Sequence, residues 1–284
     1  MYNDRRDHNR NERQGGERRG DDRQSGSNGP QSEGQAYIVG RRAALELLKT
    51  EEGRAKVEKI YLAHGVLGTQ ITEILHQSRK FKLAVGELDR HKFRELEQRV
   101  SRSTDSQGVI LLTTSRGYQQ LEDVLGSPHS EHPPLLIALD GVEDPHNMGA
   151  IIRSAEAAGS DAVLLPQRGA VLTPAVYKTS AGAAATIAIV KYGNLNQTIQ
   201  RLQEEFGVRV VGLAGEGEKT IYEADLTGPI CLVTGSEEKG LHRLTRERCD
   251  ELIKIPLRGQ TASLNASVAT AVALFETVRQ RTKV

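Results

Sequence analysis

LLIALDGVEDPHNMGAIIRSAEAAG, residues 135 to 159, joins six near-continuous apolar residues to a polar loop and then to an amphipathic run. The first six read as a strand with both faces covered, the mark of a parallel-sheet interior. Asp144 fits a helix N-cap, and Pro145 fits the first helical position, where its missing N–H costs nothing. Met148, Ile151, Ile152, Ala155 and Gly159 then follow helical spacing, which predicts one buried stripe. Strand, loop and helix in that order predict an α/β fold. Arg153 lies off the stripe, on the side shared with Gly149 and Glu156. It either pairs with Glu156 at i, i+3 as a solvated couple or presents its charge to a substrate.

The same alternation continues outward. Strands are expected at DAVLLP (161–166), TIAIVKY (186–192), VRVVGLA (208–214), PICLVTG (229–235) and ELIKIPL (251–257), with helices between most of them. A last long helix is expected over LNASVATAVALFETVRQR (264–281). Residues 135–284 therefore read as one α/β domain on a mostly parallel sheet. A smaller unit, residues 36–114, reads as helix (GRRAALELLKT), strand (VEKIYLA), helix (TQITEILHQSRKF), strand (KLAVGE), short helix (DRHKFRELE) and strand (QGVILLTT), a compact α/β sandwich. Between them, residues 115–134 read as a linker with one short helical piece, punctuated by Pro128, Pro133 and Pro134. Residues 1–35 contain no aliphatic residue after Met1 and balance seven arginines against seven acids, so they read as a disordered tail.

Composition narrows the function. Across 284 residues, 38 Lys+Arg against 37 Asp+Glu give a net charge of +1, so a polyanion partner would need a local basic patch. The small unit has one: Arg41, Arg42, Arg54, Lys56, Lys59, Arg79, Lys80, Lys82, Arg99 and Arg102. The absence of Trp weakens any base-stacking platform. Cys231 and Cys249 make no disulfide framework and suggest a reducing compartment. No apolar run approaches the roughly 20 residues of a membrane span, and the chain does not open on a secretory signal. A cytoplasmic protein with no membrane partner is expected. His129 and His132 have no third ligand at zinc spacing, so no metal is expected.

Common engines are missing from the sequence. No G-x-G-x-x-G follows a strand; GSEEKGLH (235–242) has Leu241 where a phosphate loop needs Lys; neither G-x-S-x-G nor H-E-x-x-H occurs. What recurs is a strand that stops, a Gly- or Pro-bearing loop, and clustered polar side chains. LLIALD leads to Asn147 and Arg153, ICLVTG to Glu237, and LIKIPL to Ser263 and Asn265. Ligands of open α/β sheets bind beyond the carboxyl ends of strands, so these loops can converge. Each residue also has a plainer task. Asn265 makes a good N-cap for the last helix, Ser263 a turn residue, Glu237 a complement to a helix N-terminus, and Gly235 and Gly240 turn formers.

LDGVEDPHNMGAIIRSAEAAG, LVTGSEEKGLHRLTRERCDELIKIPL and SLNASVATAVALFE together resemble the SPOUT superfamily, specifically the TrmH-like RNA ribose 2'-O-methyltransferases. IVGRRAALELL and SQGVILL resemble the RNA-binding α/β sandwich, similar to some ribosomal proteins, that precedes this domain in bacterial large-subunit rRNA guanosine methyltransferases. Ser106 stands where relatives often carry His, and Leu257 where they carry Met. The resemblance implies S-adenosylmethionine as cofactor, a deep trefoil knot at the carboxyl end and a homodimer. It implies large-subunit rRNA as substrate, with tRNA ribose methylation or a non-catalytic RNA-binding ribosome-assembly role as alternatives. Gly235, Ile255 and Leu264 would line the cofactor pocket, and Asn147, Arg153, Glu237, Ser263 and Asn265 match the functional positions. Because a guanidinium does not give up its proton in proteins, Arg153 is expected to clamp developing charge rather than act as base. Ser263 and Asn265 would hold ribose or cofactor, and Glu237 would orient Arg153 or Asn147.

Overall fold

The computed structural model describes residues 35–100, 105–114, 117–126 and 132–282. The expected tail up to residue 34, Arg102 and His129 lie outside these. The chain opens with β1 (Gln35–Val39), α1 (Arg41–Lys49), α2 (Glu51–Ala55), β2 (Val57–Ala63), α3 (Thr69–Lys80), β3 (Val85–Leu88), α4 (Arg90–Val100) and β4 (Val109–Thr114). It continues through α5 (Leu121–Leu125), β5 (Leu135–Asp140), α6 (Pro145–Ala157), β6 (Ala162–Pro166), α7 (Pro174–Thr179), β7 (Ala188–Tyr192) and α8 (Leu195–Glu204). β8 (Arg209–Leu213), β9 (Lys219–Thr220), β10 (Ile230–Gly235), α9 (Arg243–Arg248), β11 (Glu251–Lys254) and α10 (Ala266–Arg281) complete it.

The first four strands form one sheet in the order β1-β4-β2-β3. β1 was not anticipated from the sequence. Its short apolar run becomes a strand because β4 offers an antiparallel partner, in register from Gln35 against Thr114 to Val39 against Ile110. Two of the expected basic-patch residues turn inward. Lys56 is buried and donates its ammonium to the Ala185 carbonyl. Arg54 donates to the carbonyls of Leu48 and Lys49, both at 2.9 Å, and stacks 3.9 Å over the centroid of Phe81. Arg79, Lys80 and Lys82 remain exposed. Ser106 is buried and bonded through its hydroxyl and its N–H to the Glu97 carboxylate.

The second sheet has seven strands in the order β7-β6-β5-β10-β8-β11-β9, every neighbouring pair parallel. All six strands expected in this half are present, and β9 adds a two-residue edge. The segment before β5 lies against this sheet: the Gln119 N–H donates to Ile189 O at 2.8 Å, and Leu121 is buried. One continuous apolar core runs from Ile38, Ile60 and Leu111 of the first sheet to Ile137, Leu139 and Leu232 of the second.

Helix α6 forms as its sequence dictates. The Asp144 carboxylate accepts the Asn147 N–H at 3.0 Å, Pro145 starts the helix, and Met148, Ile151, Ile152 and Ala155 are buried. Gly159 departs from the expected stripe. It is exposed at φ 70°, and it ends the helix: its N–H bonds Glu156 O and the Ser160 N–H bonds Ala155 O, the paired closure of a Schellman cap. A left-handed position suits glycine, whatever the spacing says.

Candidate active site

Strand order decides where chemistry can gather. From β5 the chain builds outward through β6 to β7 on one side, while β10 lies against β5 on the other. The sheet direction therefore switches between β5 and β10, and a crevice opens outside their carboxyl ends. Asp140 and Gly235 are the last register partners there. The loop after Asp140 enters α6, and the loop after Gly235 carries Glu237.

Three of the five expected polar residues meet at this crevice. The Asn147 amide donates to Glu237 Oε1 at 3.0 Å. The Asn265 amide nitrogen donates to Asn147 Oδ1 at 2.9 Å and also to Glu237 Oε1. Asn265 is at the same time the N-cap of α10, its Oδ1 accepting the Ser267 N–H at 2.9 Å and the Val268 N–H at 3.4 Å. The capping role read from the sequence and the site role are thus one arrangement. With its oxygen committed to the helix, the amide can only turn its two N–H donors toward Asn147 and Glu237. Glu237 sits between the first turn of α6 and the start of α10, where two helix dipoles favour a negative charge. Of the two partners expected for it, Glu237 bonds Asn147 and, among the described residues, not Arg153.

A cavity of about 320 Å³ adjoins this cluster. Gly235, Ile255 and Leu264, the residues expected to face a cofactor, line it together with Ser263, Glu237 and the half-exposed Leu257. Gly235 is required by a close approach. A β-carbon there would stand 2.1 Å from the Gly240 carbonyl carbon, because the turn from Ser236 to Gly240 folds back over the strand end.

Arg153 stands apart from the cavity. Six residues at roughly 100° each place it about 120° around α6 from Asn147. It is exposed, and among the described residues it forms no ion pair, so the solvated couple with Glu156 is not made.

Sequence reasoning missed a second pair at the same strand ends. Asp140 is buried and accepts the His242 backbone N–H at 2.8 Å and its ring Nδ1 at 2.7 Å. This ties the end of β5 to the start of α9, and so fixes the loop bearing Glu237 against the loop bearing Asn147. The signal was present in GSEEKGLH, whose last residue was weighed only as part of a phosphate loop. Burial first, and then the Asp140 charge, push the Tyr192 hydroxyl well above its ordinary range. Burial, then Asp250 and Asp140, push the Cys249 thiol up to about 12. Both cysteines are free, and among the described residues no cluster of metal-ligating side chains occurs.

The SpoU rRNA Methylase family model matches residues 134–275, the span that carries every residue of this site. The chain belongs to the SpoU rRNA methylase family. It is 43% identical over 248 residues to the 23S rRNA (guanosine-2'-O-)-methyltransferase RlmB of Pseudomonas putida, covering 86% of this chain and 96% of that one. RlmB of Photorhabdus laumondii is 40% identical over 251 residues, covering 86% and 98%. Among solved structures, an RNA 2'-O ribose methyltransferase superimposes with a TM-score of 0.66 at 25% identity, over 88% of this chain and 90% of that one. The SpoU methyltransferase AviRb from Streptomyces viridochromogenes, solved in complex with AdoMet, gives 0.67 at 23% identity over 87% and 91%, and speaks for the α/β fold alone. No helix among the described residues is long and apolar enough to cross a membrane.

Proposed function

We propose that this SpoU-family protein methylates the ribose 2'-oxygen of a guanosine in 23S rRNA, with S-adenosylmethionine as methyl donor. The observation that carries the proposal is the Asn147–Glu237–Asn265 cluster at the switch point of a sheet whose relatives are named for that reaction. The residues present fit the cofactor. The cavity falls within the size range of small-ligand sites; Leu213, Ile255 and Leu264 offer apolar wall, and Ser263 and Glu237 offer polar anchors. When bound, S-adenosylmethionine supplies an activated methyl group on a sulfonium.

The chain's own residues supply orientation and electrostatics. A ribose hydroxyl is a weak nucleophile, so it must be held in line and its growing negative charge stabilised. Asn147, its amide fixed by Glu237 and Asn265, orients the reacting groups, and Ser263 hydrogen-bonds ribose or cofactor. Arg153 stands outside the cavity, exposed and with no ion pair among the described residues; in this reading it clamps a neighbouring phosphate or the nascent alkoxide of the bound RNA, while the proton leaves through water or phosphate.

Residues 36–114 act as the rRNA-binding unit in this reading, supported by the exposed Arg79, Lys80 and Lys82 at the end of α3. Val268 and Phe275, about half exposed on the same face of α10, support a homodimer, since a helix apolar on its outer face needs a partner. A trefoil knot at the carboxyl end is in keeping with β10 lying between β5 and β8 while the 255–264 segment returns to the same cavity. A ribosomal substrate places the enzyme in the cytoplasm.

The test is transfer of labelled methyl from S-adenosylmethionine to unmodified 23S rRNA and, separately, to tRNA, with the labelled nucleotide mapped. Label is expected at a guanosine ribose of 23S rRNA. With Arg153→Ala it should fall on the order of a hundred- to a thousandfold. Label in tRNA alone would move the substrate, and no transfer to either RNA despite tight RNA binding would favour an assembly role. Full turnover by a folded Arg153→Ala protein would remove the clamp.

A further inference from the structure

An ion pair borders the cavity away from the Asn147 cluster. Glu216 follows β8, and Arg246 lies in α9; both line the cavity. Sheet order separates the cavity's two ends. Asn147 follows β5 and Glu237 follows β10, whereas the loops of Glu216 and Ile255 leave the next two strands, β8 and β11. With neighbouring strands roughly 4.8 Å apart, the end of β8 lies about 10 Å from that of β5.

Glu216 occupies a pinned turn. The Gly217 N–H donates to Ala214 O at 3.0 Å, and the Ala214 N–H to Ile253 O at 3.0 Å. A β-carbon on Gly217 would stand 2.7 Å from the Leu252 carbonyl oxygen, so the turn lies flat against β11. Arg246 Nη1 meets Glu216 Oε1 at 2.7 Å. The same guanidinium donates from Nε to Leu241 O at 3.0 Å and from Nη2 to Lys239 O at 3.3 Å. One side chain thereby joins the loops after β8 and β10 and holds one carboxylate oxygen, leaving the other for a ligand.

We propose that Glu216, held by Arg246, accepts the vicinal hydroxyls of the cofactor's adenosine ribose. The inference rests on the methyltransferase reading. The methyl-bearing end must face the β5 and β10 loops, where Asn147 and Glu237 stand, so the nucleoside end faces β8 and β11. The cavity wall beyond those two strands contains Leu213 and Ile255, apolar surface against which a flat base packs. A ribose diol offers two O–H donors, and a carboxylate is an acceptor with about four lone-pair directions, a direct chemical match.

Calorimetry on the full chain, with S-adenosylhomocysteine and with its 2'-deoxyribose analogue, tests it without reference to turnover. Glu216→Gln is expected to weaken S-adenosylhomocysteine on the order of tenfold to a hundredfold, the range for a hydrogen bond to a charged group. The wild type should lose a comparable factor on the deoxy analogue, and Glu216→Gln should bind the two ligands within about twofold of each other, the coupling expected of contacting groups. Arg246→Gln should show a smaller loss, again confined to the ligand with both hydroxyls. Equal losses on both ligands in either variant, or a wild type indifferent to the missing hydroxyl, would leave the pair as a brace for the turn and overturn the proposal. A wild type that binds S-adenosylhomocysteine not at all would instead sink the methyltransferase reading, and this one with it.

Discussion

The amide of Asn265 is divided between two tasks. Its oxygen closes the first turn of α10, and its nitrogen joins Asn147 to Glu237. Substitution separates them. Asn265→Ser keeps a good N-cap oxygen but has no second donor, so thermal stability should change by less than about 0.5 kcal/mol, as expected of caps of similar rank. Methyl transfer should nevertheless fall up to about a hundredfold, the cost of misplacing a reacting group by an ångström. Asn265→Ala loses both functions and should cost about 1 kcal/mol more in stability. If the Ser variant lost stability and kept its activity, the cluster would be a helix cap and nothing more. Arg153 differs in kind: it is exposed, and among the described residues it makes no ion pair.

The loop from Gly235 to His242 acts at the scale of the element. Its turn returns so close to the end of β10 that Gly235→Ala has no room for its methyl group. Overpacking of this sort costs about 1–3 kcal/mol, and the displaced turn would distort the cavity rim. Lowered melting temperature together with loss of S-adenosylhomocysteine binding is expected; normal binding would mean that the turn yields without consequence. The far end of the loop is anchored by His242 on Asp140. His242→Ala leaves a buried carboxylate one donor short, which costs about 1–3 kcal/mol in denaturant unfolding. His242→Asn keeps a side-chain N–H to offer Asp140 and should recover much of that stability. No difference between the two variants would show that the ring hydrogen bond adds little to the backbone one.

At the scale of the whole molecule, α10 is packed on one side and bare on the other. Ala273 and Leu274 are fully buried, whereas Val268 and Phe275 are about half exposed. A charge on that bare face tests the homodimer directly. Phe275→Asp is expected to convert a dimer to a monomer in sedimentation velocity, with the circular dichroism of the monomer unchanged. A wild type that sediments as a monomer at micromolar concentration would remove the dimer from the proposal.

Local rules were enough for six of the seven strands of the second sheet and for the starts of α6 and α10, but not for β1 or for Gly159 at the end of α6. Apolar runs, Asp144 before Pro145 and Asn265 before the last helix act through neighbours a few residues away. Family likeness marked Asn147, Arg153, Glu237, Ser263 and Asn265 as a set, of which Asn147, Glu237 and Asn265 touch. Neither could say that they touch, since Asn147 and Glu237 lie 90 positions apart and Asn147 and Asn265 lie 118 apart. That contact exists because β10 inserts between β5 and β8, a choice among strand orders that periodicity does not encode. The same long-range order made β1 a strand, turned Lys56 inward and paired Asp140 with His242. The sequence by itself determined six strands of the second sheet and the starts of α6 and α10, because those energies are local; only the tertiary structure made β1 a strand and decided which strand ends meet, because that depends on pairing and burying elements far apart in the chain.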